Sequence, residues 1–204
     1  MEWRLFGDVL PEPAGMLAGR GWMDLEHQPG FAQRAGMVAG LVALVAGLCP
    51  DVESVTDLGC GDGSLLARFP AHLYSWGYEI GLGDVAAARD RGLNVFQADI
   101  LHERLEYGSL LVASEVLEHL EDPRAFLEAL PARPLVVSSP SAETGDWHND
   151  IHAWAWDLPG YKALLESAGW RVLYQTDCDG GRNCFEGVEG PQRFQAAVCV
   201  KAAA

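Results

Sequence analysis

Four polar side chains in this 204-residue sequence have types and a spacing suited to catalysis. Glu115, Glu118 and His119 stand at positions i, i+3 and i+4, and His152 follows in a tryptophan-rich segment. On a helical turn such residues share one face. Three interpretations stay open. The residues fix a helix start and a loop, or His119 or His152 is a general base that removes a proton from a substrate hydroxyl or amine, or all four ligate a divalent metal.

A second group of residues is acidic and surrounds a glycine-rich turn. Asp57 precedes the segment 59–63 (Gly-Cys-Gly-Asp-Gly), and Glu79 follows at about the 20-residue distance that is typical of a ribose-binding carboxylate. Glycine lets the backbone turn sharply and approach a ligand closely. A third carboxylate, Asp99, could accept a hydrogen bond from an adenine amino group. The turn therefore predicts a nucleoside-containing cofactor.

The residues around the turn favour a cationic cofactor over a pyrophosphate. A dinucleotide site has the pattern G-x-G-x-x-G, but Ser64 occupies the place of the third glycine. The carboxylates of Asp57, Asp62 and Glu79 would repel phosphate groups and attract the amine or sulfonium of S-adenosylmethionine (SAM). We therefore expect SAM rather than a nicotinamide dinucleotide.

The elements that must position these residues alternate between short apolar strands and helices. Predicted strands are Ser54–Leu58, Leu73–Glu79, Asn94–Gln97, Leu110–Ser114 and Leu135–Ser138, followed by Trp170–Thr176 and Phe194–Val200. Predicted helices are 31–48, Asp84–Arg91, Pro123–Leu130 and Leu158–Ala168, with another beginning at Ser64–Phe69. The last two strands have only a glycine-rich connection, 179–191, which we interpret as a loose hairpin loop, so this pair is predicted to be antiparallel. The fold class is α/β: a Rossmann-like three-layer sandwich whose seven-stranded sheet is mostly parallel, with an antiparallel C-terminal strand.

Several segments of the sequence carry a family resemblance. The glycine segment, "ASEVLEHLEDPRAFLEAL", "VVSSP" and "HAWAWDLPGYKALLESAGWRV" resemble class I SAM-dependent methyltransferases, in particular the group that includes the ubiquinone-biosynthesis O-methyltransferases. The resemblance covers about 51–177. It implies a methyltransferase domain over 31–204, preceded by an N-terminal arm or cap over 1–30, and transfer of a methyl group to an oxygen or nitrogen of a small molecule.

The resemblance also implies roles for individual residues. His119 and His152 are the catalytic candidates. The implied cofactor contacts are Asp57, Gly59, Cys60, Gly61, Glu79, Ile80, Asp99, Ile100, Ser114 and Glu115.

Two other functions stay open at this point. The pattern E-x-x-E-H with a distant histidine also resembles small-RNA 3′-terminal 2′-O-methyltransferases, in which case Glu115, Glu118, His119 and His152 would hold a divalent metal. Alternatively, the chain binds SAM without catalysis. The formal net charge of −15 disfavours nucleic acid and anionic membranes as partners.

We expect a cytoplasmic protein that is a monomer or a homodimer. The five cysteines contain no C-x-x-C pair, and no signal peptide is visible. The apolar run 35–49 is shorter than a typical membrane span. Because Gly36, Gly40 and Gly47 interrupt it, we interpret the run as a buried helix that packs closely through its small residues.

Overall fold

A seven-stranded sheet forms the centre of the molecule. The computed structural model describes residues 4–5, 30–141, 143, 152–185 and 188–201. The strands of this sheet are β2 (Ser54–Leu58), β3 (Tyr74–Glu79), β4 (Val95–Gln97), β5 (Leu110–Ser114), β6 (Leu135–Pro140), β8 (Trp170–Phe185) and β9 (Val188–Lys201). Their order is β4-β3-β2-β5-β6-β9-β8, and β9 alone runs against its neighbours β6 and β8. The predicted mixed sheet is confirmed.

Strand order reverses at β2. This strand pairs in parallel with β3 on one side and with β5 on the other. The chain proceeds outward from β2 to β3 and β4, then crosses back to β5 and continues in the opposite direction to β6. In open α/β sheets, ligands bind beyond the carboxyl ends of the strands at such a switch point. The end of β2 carries Asp57 and runs directly into the glycine turn.

The C-terminal hairpin is longer than its sequence predicted. The interpretation of 179–191 as a loose loop is wrong, because β8 and β9 stay paired from Asp179 opposite Arg193 to Phe185 opposite Val188. The ladder shifts register between Asp179 and Gly181. Glycine in a strand often marks such a bulge. The glycines therefore bend β8 locally, and the strand continues beyond them.

Helix α1 (Phe31–Leu48) covers one face of the sheet. Its 18 residues and mean hydropathy of 1.6 would suffice to cross a membrane by length and composition, so length alone does not distinguish a membrane span from a core helix. Its buried residues recur every three or four positions and pack into the core: Phe31, Ala35, Val38, Leu41, Val42 and Val45. This is the pattern of a core helix. The glycines contribute no close packing, since a Cβ at Gly36, Gly40 or Gly47 would meet no atom within 4 Å.

Three shorter helices complete the layers. They are α2 (Leu82–Asp90), α3 (Pro123–Ala129) and α4 (Leu158–Ser167). Asp122 caps α3 by accepting a hydrogen bond from Ala125 N at 2.9 Å, and Gly169 follows α4 with φ 81°. Both ends agree with the sequence prediction.

The predicted helix after the glycine turn does not form. A 3₁₀ turn, Leu66–Arg68, stands in its place. Pro70 follows shortly afterwards, and a proline disfavours helical geometry at the residue before it. Phe69 is accordingly extended, with φ −69° and ψ 152°.

The core has two layers, one on each face of the sheet. One cluster joins α1 and α2 to the sheet through residues such as Val38, Val85 and Val112. The other joins α3 and α4 to the opposite face through residues such as Leu127 and Leu165. These clusters give the predicted three-layer sandwich.

A separate two-stranded sheet involves the start of the chain. Strand β1 (Arg4–Leu5) pairs antiparallel with β7 (Trp154–Ala155). Of the predicted arm over 1–30, residues 1–3 and 6–29 lie outside the described residues, so the domain division stays a prediction.

Candidate active site

The glycine turn has a backbone that only glycine adopts readily. Gly59, Gly61 and Gly63 have φ angles of 75°, 53° and 77°, in the left-handed region that is strained for other residues. A Cβ on Gly59 would stand 2.7 Å from Val116 Cγ2. The amides of Gly59 and Cys60 both donate to Tyr78 O, at 2.9 and 3.1 Å, which fixes the turn against β3.

Glu79 holds the turn from the end of β3. Its Oε2 accepts a hydrogen bond from Gly61 N at 2.9 Å, and its Oε1 accepts one from Gly81 N at 2.8 Å. The side chain is buried. Because each carboxylate oxygen can accept two hydrogen bonds, Glu79 retains acceptor capacity toward a ligand. Ile80 follows it and is partly exposed.

Asp57 is a buried carboxylate beside the turn. It is 1% exposed, and neither of its oxygens accepts a hydrogen bond within the described ranges. Burial, and then the charge of Glu79, raise the pKa of Asp57 to about 7. A buried acid without hydrogen bonds is costly when ionised, so a cation beside it would be strongly stabilised.

Asp57 borders a cavity that is open to solvent, and its empty space, including the part open to solvent, is about 270 Å³. The lining residues are Phe31, Arg34, Asp57, Gly59, Cys60, Leu65 and Ser114. Four of the predicted cofactor contacts therefore share this cavity with one cation.

That cation, Arg34, was not identified from the sequence. It comes from α1, and its Nη1 lies 3.6 Å from Glu115 Oε2. The guanidinium stands over the rings of Phe31 and Phe194, 5.4 and 5.3 Å from their centroids. The one available indication was that Arg34 is the only charged residue in an otherwise apolar helix.

Glu115 lies at the end of β5 in a strained conformation. Its φ of 58° makes it the only non-glycine residue with a positive φ in the part of the chain that the structure describes. Ser138 Oγ donates to Glu115 Oε1 at 2.9 Å and lies 2.8 Å from Ser114 Oγ. Burial raises the pKa of Glu115 to about 7, although Arg34 and Ser138 favour its ionised form. Such strain is typical of functional positions.

Asp99 and Ile100 follow β4. Asp99 Oδ1 accepts from Leu101 N at 2.9 Å, and Oδ2 lies 2.9 Å from His102 Nδ1. Burial opposes ionisation of this carboxyl, but the hydrogen bonds from His102 and Leu101 leave the pKa of Asp99 below its usual value. Ile100 packs against the core from a partly buried position.

The histidines meet beyond the end of β5, in what we call the histidine cluster: Glu118, His119, Glu143 and His152. The rings of His119 and His152 contact edge to face, with centroids 4.8 Å apart. His152 Nδ1 lies 2.6 Å from Glu143 Oε1. Ala153 N donates to Glu118 O at 2.8 Å and joins the two segments. The sequence did not point to Glu143.

The predicted grouping of Glu115 with Glu118 and His119 is wrong in one respect. Only a 3₁₀ turn, Leu117–His119, forms, and Glu115 precedes it. The positive φ of Glu115 directs its carboxylate toward Arg34 and Ser138 instead.

Glu118 is the most deeply buried acid of the cluster. It is 0% exposed, and neither oxygen accepts a hydrogen bond within the residues that the structure covers. Burial and the charge of Glu115 raise its pKa well above the usual range. Its neighbour Tyr161 likewise has a raised pKa, through burial and the charge of Glu118.

One family model matches this chain, over residues 41–149, and it describes the methionine biosynthesis protein MetW. The match covers more than half of the chain and includes the glycine turn and Glu115–His119. The chain belongs to the MetW family. His152 lies beyond the matched residues. A search of curated proteins finds no match.

Solved structures show the fold of this MetW-family protein. The N-methyltransferase NodS from Bradyrhizobium japonicum WM9, in complex with S-adenosyl-L-homocysteine, is 16% identical with a TM-score of 0.66, over 96% of this chain and 100% of that one. Magnesium protoporphyrin IX methyltransferase (ChlM) from Synechocystis PCC 6803, with S-adenosylhomocysteine bound, is 17% identical with a TM-score of 0.59, over 90% and 91%. The [4+2]-cyclase SpnF is 15% identical with a TM-score of 0.61, over 81% of each chain. The predicted class I methyltransferase fold is confirmed.

Proposed function

We propose that this MetW-family protein transfers a methyl group from SAM to an oxygen or nitrogen of a small molecule. One observation carries the proposal: a buried carboxylate and a guanidinium line the same cavity beside the glycine turn. The methionine part of SAM carries an ammonium and a carboxylate. Asp57 matches the ammonium and Arg34 matches the carboxylate, so the cavity is complementary to this zwitterion.

The other cofactor contacts follow along the sheet edge. Glu79 accepts hydrogen bonds from the ribose hydroxyls, and Asp99 accepts one from the adenine amino group. Ile80 and Ile100 come next to these acids in the sequence and contact the adenosine. In this assignment Gly59, Cys60 and Gly61 supply backbone, while Ser114 and Glu115 stand near the methionine part.

The reaction is an in-line displacement. The carbon–sulfur bond of the sulfonium breaks as the acceptor lone pair forms the new bond, and the electron pair goes to sulfur, which gives S-adenosylhomocysteine. The acceptor's proton leaves through His119 or His152. Alignment of the two reactants supplies most of the rate enhancement, and the positioned histidine adds general-base catalysis.

The family name suggests the metabolic setting of the acceptor. We infer that the acceptor is a small metabolite connected with methionine biosynthesis, the process named for the family. The net charge of −15 disfavours RNA as the acceptor, although the RNA alternative would use the same Glu118, His119 and His152. We also propose that the protein is cytoplasmic and is a monomer or a homodimer.

Calorimetry with purified protein tests the cofactor assignment. We expect SAM to bind the wild type and to bind Asp57→Asn far more weakly, since the amide removes the negative charge without changing the shape. Asp90→Asn is the matched control because Asp90 is exposed at the end of α2. Absence of SAM binding to the wild type would refute the proposal.

A binding protein without turnover is the second candidate. SpnF shares the fold and is named as a cyclase, so the fold by itself does not establish methyl transfer, although it gives no support to a protein without turnover. Isotope-labelled methyl transfer from SAM to a panel of small hydroxyl and amine compounds separates the two. SAM affinity without transfer to any of them would favour the binding protein.

A further inference from the structure

We propose that Glu118, His119 and His152 bind one divalent first-row transition metal next to the methyl-transfer site. One potential ligand atom from each residue lies within 4.8 Å of the other two. Two imidazoles and one carboxylate are a common ligand set for Zn²⁺ and for non-haem Fe²⁺. Ligand atoms that lie about 2.0–2.2 Å from one ion are closer to one another than 4.8 Å, so these side chains would move together when the ion binds.

The state of Glu118 is the independent observation that points to a ligand. Its carboxylate is wholly buried, and neither oxygen has a hydrogen-bond partner among the residues described. Buried charges in proteins are usually paired or coordinate metals. Tyr161 adds a buried hydroxyl that also lacks a described partner.

The contacts around His152 resemble the surroundings of a metal-bound histidine. Its Nδ1 lies 2.6 Å from Glu143 Oε1, and both side chains are almost fully buried. Metal-binding histidines commonly donate one ring N–H to a carboxylate, which turns the other nitrogen toward the metal. Here Glu143 has that second role toward Nδ1, and Nε2 is the nitrogen that would face the ion.

Charge and backbone geometry support the same assignment. Three buried carboxylates, Glu115, Glu118 and Glu143, face one arginine, Arg34. A dication would favour the ionised form of these carboxylates, which burial otherwise disfavours. The hydrogen bond from Ala153 N to Glu118 O, together with that from Trp154 Nε1 to Leu120 O, holds the two ligand-bearing segments together.

A bound metal would determine how the acceptor loses its proton in the proposed methyl transfer. A metal-bound hydroxyl ionises far more easily than a free one, so His119 and His152 would act as ligands and not as bases. This consequence rests on the proposed function, whereas metal binding itself does not.

The test uses full-length protein that has been stripped with a chelator and then titrated with Co²⁺. Visible d–d absorption and metal analysis should show one tightly bound Co²⁺ per chain, which Zn²⁺ displaces. We expect His119→Asn, His152→Asn and Glu118→Gln to abolish the absorption, and Glu143→Gln to weaken affinity by about 10-fold to 100-fold. His72→Asn should bind as the wild type does, because His72 is an exposed histidine outside the cluster.

Calorimetry with SAM on the same preparations shows that each variant is folded and keeps the two proposals separate. Absence of saturable Co²⁺ binding in wild type that still binds SAM would overturn the metal site alone. Equal Co²⁺ binding by wild type and His119→Asn would also overturn it. Saturable Co²⁺ without SAM affinity would instead refute the proposed function and leave the metal site standing.

Discussion

The glycine-turn site, formed by Asp57, Glu79 and residues 59–63, and the histidine cluster are built in opposite ways. In the glycine-turn site, Glu79 bonds Gly61 N and Gly81 N, so side chains hold a backbone that lies close to them in the sequence. In the histidine cluster, distant segments meet and Glu118 stays without a hydrogen bond from any described residue. Most of the glycine-turn site is therefore preformed. In the histidine cluster, the buried carboxylate oxygens of Glu118 can still accept a hydrogen bond or bind a ligand.

This difference suggests a division of labour. A site whose backbone is held rigidly binds the same ligand in every catalytic cycle, as a cofactor requires. A cluster with unsatisfied buried acids suits a proton, a metal or an acceptor group, each of which changes during a reaction. The following predictions test whether the two regions are separable in this way.

The largest effect should come from the histidine cluster. We expect His119→Ala to lower the rate of methyl transfer by about 100-fold to 10,000-fold, the usual contribution of general-base catalysis. The loss is expected whether His119 takes the acceptor's proton itself or holds the metal that ionises the acceptor. SAM affinity should change by less than about twofold. The charged groups that we assign to SAM binding, Asp57, Glu79 and Arg34, lie outside the histidine cluster and keep their hydrogen bonds to SAM. Single-turnover transfer to the acceptor found in the panel, with calorimetry for SAM, measures both. An equal loss of SAM affinity would show that the regions are not separable.

The next effect should come from Glu79→Ala in the glycine-turn site. The change removes the acceptor for the ribose hydroxyls and for two backbone amides, so we expect SAM affinity to fall by about 100-fold, or about 3 kcal/mol. Glu79→Gln retains one oxygen acceptor and should lose less. Co²⁺ binding at the histidine cluster should be unchanged in both variants, because Glu79 is on another strand. Wild-type SAM affinity in Glu79→Ala would disprove the ribose assignment.

Local spacing explains why much of the fold was predictable. Leu110–Ser114 matches the prediction residue for residue, because a short apolar run between polar segments leaves few alternatives. The helix after the glycine turn was wrong since Pro70 outweighs the helical pattern that precedes it. The hairpin was underestimated because composition suggested a loop, whereas pairing of β8 with β9 depends on backbone hydrogen bonds that glycine also makes.

The candidate site divides in the same way. Asp57, Glu79 and Asp99 could be found because each stands at the end of a predicted strand. Arg34 and Glu143 could not, since their contacts with Glu115 and His152 arise only when distant segments pack together. Periodic patterns in a sequence predict local structure, so they cannot predict such contacts.

Arg34 lies between the two regions, since it lines the cavity with Asp57 and contacts Glu115 at the end of β5. Its replacement should therefore have an intermediate effect. Arg34→Met keeps much of the apolar packing between Phe31 and Phe194 but removes the charge. We expect SAM affinity to fall by about 10-fold to 30-fold through loss of a charged hydrogen bond to the methionine carboxylate. Calorimetry with S-adenosylhomocysteine and with 5′-methylthioadenosine, which lacks that carboxylate, tests whether loss of the carboxylate contact causes the lower affinity. The variant should lose affinity for the first ligand only, and equal losses would contradict the assignment.

The smallest effect concerns pH and Asp57. Its raised pKa of about 7 means that the free protein holds this proton across mildly acidic pH. The cationic amine of SAM favours the ionised form, so SAM affinity should rise by about 10-fold between about pH 6 and pH 8 and then level off. In the free protein the same shift has the opposite consequence for stability. The folded state keeps the proton longer than the unfolded state, so this group makes folding less favourable as pH rises from about 4 to about 7.

Asp57→Asn decides whether this group causes the pH dependence. The amide does not titrate in this range, so the variant should bind SAM weakly and with a nearly flat pH profile. Glu115 also has a pKa of about 7 but interacts with Arg34, and Glu115→Gln should retain most of the wild-type slope. If instead Glu115→Gln flattened the profile and Asp57→Asn did not, the ammonium of SAM would lie beside β5 and not beside β2. The division between the two regions would then have to be redrawn at Glu115.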